Sequence, residues 1–143
     1  MVKLVTEKIS VDKLLEEMEE HGTGAVTIFL GRVRDYAQGR QVTKMAYQAY
    51  PDMALKKMQE IESEIQTRWP VAKAVLVHRT GELQLGEVSV AIAVATPHRR
   101  EAFEACRFAI NTLKETVPIW KKEIFADGES WVEGVVPKKQ LKD

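Results

Sequence analysis

Cysteine is nearly missing from this chain. The single one, Cys106, excludes an internal disulfide and any multi-cysteine metal site. Net charge is missing too, with 21 Lys and Arg against 21 Asp and Glu. A neutral domain lacks the strongly basic footprint of a nucleic-acid binder, so no nucleic-acid partner is expected. There is no long apolar run: the longest, Val88 to Ala95, is far too short to span a bilayer, so no membrane partner is expected either. Met1 to Lys8 offers no apolar stretch of the kind that directs export, so the expectation is a soluble cytoplasmic protein. Repeats, low-complexity tracts and linkers are absent as well.

What is present is a chain of 143 residues, 45% hydrophobic and 29% charged. That is enough for one domain, 1–143, with a real core. Residues 2–9 alternate as a short strand. Ser10 predicts an N-cap for a helix over 11–20, with Leu14, Leu15 and Met18 facing inward. Gly22-Thr23-Gly24 breaks the chain before Ala25 to Leu30, a β-rich run expected in the core. Asp35 to Arg40 reads as a flexible loop turned by Gly39, and Val42 to Tyr50 as a strand. Pro51 opens a helix whose Leu55, Met58, Ile61, Ile65 and Trp69 recur at helical spacing until Pro70.

Val71 to His78 predicts a strand, residues 80–86 a turn region, and Glu87 to Ala95 a strand with small residues on one face. Pro97 opens a third helix with Phe103, Cys106, Ile110, Leu113 and Val117 as its buried stripe. Pro118 ends it. Ile119 to Phe125 and Trp131 to Val136 then read as two strands joined at Asp127-Gly128, ahead of a frayed tail.

Charge is even overall but not locally. Residues 97–122 hold six basic side chains against three acidic ones, which suggests an anion pocket and not a polyanion surface. Arg32 and Arg34 follow a strand that ends at Gly31 and can form a guanidinium fork for phosphate or carboxylate; the alternative is two solvated arginines. His98 and Arg99 fall in a helix's first turn, where free N–H groups and the dipole favour an anion. Lys114 lies beside the apolar stripe. Lys121 lies among large apolar residues, where desolvation would move its pKa toward neutral, with Glu123 on the same strand face. Cys106 reads as core. His21 and His78 lack such company, and no group falls at metal-ligand spacing, so no metal is expected.

Several motifs then appear in order. They are Gly24-Ala25 leading to Phe29-Leu30-Gly31-Arg32-Val33-Arg34, Tyr50-Pro51-Asp52-Met53-Ala54, and His78-Arg79-Thr80-Gly81-Glu82-Leu83. After them come His98-Arg99-Arg100-Glu101-Ala102-Phe103, Leu113-Lys114, Pro118-Ile119-Trp120-Lys121-Lys122-Glu123, and Gly128 to Trp131-Val132. This series resembles the large, catalytic subunit family of molybdopterin synthase over nearly the whole chain, with Gln48 where many members carry Glu. The resemblance implies an α+β fold, α/β hammerhead-like, with a mixed and mainly antiparallel sheet, three helices and a single domain.

It also implies a sulfurtransferase of molybdenum cofactor biosynthesis that needs no cofactor of its own. Sulfur would pass from the C-terminal Gly-Gly thiocarboxylate of a small ubiquitin-like sulfur-carrier subunit to cyclic pyranopterin monophosphate, forming the dithiolene of molybdopterin. The assembly would be a homodimer within a heterotetramer. Carried over by motif, the substrate-binding positions are Arg32, Val33, Arg34, His98, Arg99, Lys114, Lys121, Lys122 and Glu123, with Lys114 and Lys121 catalytic. Lys121 would move protons and Lys114 would neutralise the thiocarboxylate, while Arg34 is the candidate to reach across a subunit boundary. The competing reading is a non-catalytic phosphate-ligand domain, or a scaffold that docks a ubiquitin-like partner.

Overall fold

The structure, a computed structural model, describes residues 1–37 and 39–132. Twelve elements follow in chain order: β1 Val2–Val5, α1 Val11–Glu17, β2 Ala25–Arg32, β3 Tyr36–Ala37, β4 Arg40–Ala49, α2 Pro51–Arg68, β5 Lys73–Arg79, β6 Gly81–Gln84, β7 Val88–Thr96, α3 Arg99–Thr116, β8 Ile119–Phe125 and β9 Gly128–Val132. The strands form two sheets. One has the order β1-β5-β7-β2, with β1 parallel to β5 and the other pairs antiparallel. The other runs β3-β4-β8-β9 with β6 also paired to β4, all antiparallel. The fold class is therefore α+β with three helices, and its mixed sheet is split in two. Among the described residues no helix is long and apolar enough to cross a membrane.

Strand β7 explains the layering. Its Val90, Ile92 and Val94 join Met58, Ile61 and Ile65 of α2 and Ala105, Ala109 and Leu113 of α3 in one cluster. Its Ala91, Ala93 and Ala95 meet Leu14 of α1 and Met18, the residue that caps its C-terminal end, in another. Small residues on that side let α1 sit close. Ser10 caps α1, its Oγ accepting from Lys13 N–H at 3.3 Å. Pro51 occupies the first turn of α2, where its missing N–H costs no bond. Gly128, at φ 141°, turns β8 into β9 in a conformation that L side chains rarely adopt.

Several expectations change. Leu15 is 49% and Phe103 63% exposed, so neither belongs to its helix's inner stripe; Ala102, Ala105 and Ala109 fill that role on α3. The run from Ala25 makes β2, an edge strand of intermediate burial, because only β7 pairs with it. Residues 81–84, read as a turn, are β6, which pairs with Lys44 to Tyr47. The loop of residues 35–40 contains the two-residue strand β3. Residues 133–136 of the last expected strand, and the tail, lie outside the described residues.

Candidate active site

Helix α3 decides which cations meet. Strand β7 places Thr96 opposite Ala25, at one end of its sheet, and Val90 between Gly31 and His78, toward the other. The chain turns after Thr96 and α3 runs back along the sheet. His98 and Arg99 therefore stand at its first end and Lys114 in its last turn, with about 22 Å of helix between Arg99 and Lys114 at 1.5 Å per residue. Arg32 and Arg34, following Gly31, lie toward the lysine end. The nine expected residues thus form two groups in one copy of the chain, not one cavity.

In the first group, His98 is the N-cap residue of α3, with extended backbone and no side-chain cap bond. Its imidazole and the Arg99 guanidinium are exposed beside the free N–H groups of the first turn. Arg100 is instead paired with Glu104, Nε to Oε2 at 3.2 Å. The junction is built by close approach. Gly24 N–H donates to the carbonyls of Thr96 and Pro97 at 3.1 and 3.2 Å, and a Cβ on Gly24 would stand 2.7 Å from the Pro97 oxygen.

In the second group, Val117 and Pro118 join α3 directly to β8, which carries Lys121, Lys122 and Glu123. Strand β8 pairs with β4 so that Lys121 stands opposite Tyr47 and Glu123 opposite Met45. Lys121 and Glu123 share a face, as expected. Glu123 is only 3% exposed, so its carboxylate is an interior group. Lys114 retains exposed surface, yet partial burial, with the Lys121 charge adding to it, lowers its pKa from 10.5. Two ammonium groups that repel each other this way define where an anion would be welcome.

The arginine loop is pinned rather than free. Val33 N–H donates to Glu87 O at 3.0 Å and its carbonyl accepts from Gly86 N–H at 2.9 Å. Its side chain packs with Val42, Met45 and Phe125. Val33 therefore aims its two arginine neighbours and offers a ligand no free main-chain group. Arg32 Nε donates to Gly86 O at 3.3 Å, and Arg34 is exposed. Among the described residues, Arg34, Arg99, Lys114 and Lys121 form no ion pair, whereas Arg40, Arg79 and Arg100 each have a carboxylate. Cations without a carboxylate partner gathered at these two places suit an anionic ligand.

One residue was missed. His78 was set aside for lack of company in sequence, but it is 1% exposed and within electrostatic reach of Lys114. The Tyr47 ring meets it edge-on, centroids 5.2 Å apart. Burial outweighs its bond to the Arg79 carbonyl and, with a smaller push from the Lys114 charge, takes its pKa down to about 4. Only the repeated closeness of His78 to Val90 and Lys114 in space, which no spacing reveals, would have found it. Cys106 is buried and its thiol is pushed up to about 11, chiefly by burial, in keeping with a packing role. Among the described residues no set of three or more His, Cys, Asp and Glu could hold a metal ion.

The sequence model of the MoaE protein family matches residues 4–116. The molybdopterin synthase catalytic subunit of Halalkalibacterium halodurans is 43% identical over 129 residues, covering 90% of this chain and 83% of that protein. The crystal structure of molybdopterin synthase from Staphylococcus aureus superposes with a TM-score of 0.86 at 42% identity, covering 90% of this chain and 94% of that one. In the protein–protein complex of subunits 1 and 2 of the molybdopterin-converting factor of Helicobacter pylori, one chain shares the fold at a TM-score of 0.79. It is 17% identical and covers 99% of each chain. Motif order, two-sheet architecture and these likenesses agree, and the chain belongs to the MoaE protein family.

Proposed function

We propose that the protein is the catalytic subunit of a molybdopterin synthase, transferring sulfur from a thiocarboxylated ubiquitin-like carrier to cyclic pyranopterin monophosphate. The observation that carries this reading is the convergence of Lys114 and Lys121, unmatched by any carboxylate among the described residues, in a chain of this family. A thiocarboxylate and a cyclic phosphate repel each other, and cations between them lower that barrier. The carrier's sulfur forms a C–S bond to the pterin as a pterin oxygen leaves as water. A water then attacks the carrier's acyl carbon, breaking its C–S bond and returning the carrier as a carboxylate, so a proton must move in each half. Lys114, held below the ordinary lysine range, is the better group for that proton transfer. Lys121 then neutralises the carrier's tail, the reverse of the assignment expected from sequence.

His98 and Arg99 lie too far along α3 to serve the same copy's lysines. In the proposed homodimer a second copy supplies them, and Arg34 stays with its own lysines. The small partner follows the two-subunit complex of the Helicobacter pylori protein, and a cytoplasmic location belongs to the same proposal. The direct test mixes the purified protein with a thiocarboxylated carrier and the cyclic pterin, reading dithiolene product by mass. Lys114→Ala and Lys121→Ala should each lower conversion by about 10²–10³. Near-normal conversion by both variants would refute the assignment.

A further inference from the structure

The two lysines converge on a polar pair that the proposed chemistry leaves unused. His78 lies on β5 between Leu4 of β1 and Val90 of β7, both apolar. Its Nδ1 is 2.9 Å from the Arg79 carbonyl, which can only accept, so Nδ1 carries the proton and the ring is fixed. Tyr47 of β4 meets that ring edge-on at 65°, lies near Ser89 of β7, and stands directly opposite Lys121 on β8. Residues opposite each other on paired strands project from the same face, close enough to touch. Tyr47 thus touches His78 and stands beside Lys121, while His78 is within electrostatic reach of Lys114.

We propose that Tyr47 and His78 are positioning residues: together they form an uncharged floor that holds the Lys114 and Lys121 ammonium groups beside one another and keeps water from beneath them. The proposal rests on reading those lysines as the reacting groups. Packing alone does not account for the pair. The flanking clusters are apolar, and burying an imidazole and a phenol where leucine or phenylalanine would fit costs free energy. What an uncharged floor supplies is a low-dielectric surface that adds no third cation. The charged groups around it are Lys114 from α3, Lys121 and Glu123 from β8, and Arg79 next to His78 on β5; the buried stripe of α2 is apolar. Tyr47 also lines a surface groove with Gln48, Thr80 and Trp120, so removing its ring opens a path for water toward the lysines.

The test reads the lysines themselves. Competitive acetylation followed by mass spectrometry gives the titration midpoint of Lys114 in the folded protein without carrier or pterin. His78→Asn and Tyr47→Leu should each raise that midpoint toward 10.5 as water enters. Each should also lower kcat by on the order of tenfold or more, changing KM less. Tyr47→Phe, which keeps the ring, should hold the wild-type midpoint. Should His78→Asn fail to fold, Tyr47→Leu decides. A folded variant with an unmoved Lys114 midpoint, or a fall in kcat tracking only a lower Tm, overturns the proposal. Because labelling needs no substrate, a wild-type protein that converts no pterin counts against the proposed function and leaves the labelling result standing.

Discussion

At the scale of the residue, acid should reveal His78. Its folded pKa of about 4 lies below the 6.5 of an unfolded histidine, so the unfolded chain takes up the proton first. Stability contributed by the neutral imidazole is complete above pH 6.5 and is lost as the pH falls toward 4, by about 3 kcal/mol at most. Urea unfolding at pH 7 and pH 4.5 should show this loss, and His78→Asn should flatten it. A wild-type midpoint that does not move across that window would contradict the burial described. Cys106, with its thiol well above neutral pH, has no part in this response.

At the scale of the element, the junction between β7 and α3 is the most sensitive point. Gly24→Ala would drive a methyl group into the Pro97 carbonyl, and backbone cannot swing aside as a side-chain tip can. A loss of about 1–3 kcal/mol is expected from such overpacking, read as a lower urea midpoint. Reduced phosphate affinity should accompany it, because the displaced segment carries His98 and Arg99. Element boundaries were legible where a local residue sets them: Ser10, Pro51 and Gly128 each act within a turn of their own position. Phe103 and Leu15 were misread because helical spacing gives a stripe but not its width, and alanines proved to be the contact on α3. Strand β6 was missed because its partner, β4, lies more than thirty residues earlier. The motifs singled out Lys114 and Lys121, which the fold brings within electrostatic reach of each other, whereas the nearness of His78 to Lys114 depends on strand pairing that no spacing shows.

At the scale of the whole molecule, the separation of His98 and Arg99 from the lysines makes one copy insufficient for the proposed reaction. Arg99→Ala and Lys121→Ala homodimers should both be impaired. Mixed and allowed to exchange, half of the dimers carry one variant of each kind, and each of these holds one complete site. About a quarter of wild-type conversion should therefore return, as two-fold symmetry requires. No recovery after verified exchange would mean that each copy works alone.

The direct passage from α3 through Val117 and Pro118 into β8 also fixes a reading frame. Side chains on β8 alternate between its faces, so adding or removing a single residue before Lys121 would exchange Lys121 and Glu123 for Trp120 and Lys122 on the side toward Tyr47. Every amino acid type would remain, yet Lys121 would face away from Tyr47. The count of residues between the two lysines is thus as much a condition of their meeting as the side chains themselves.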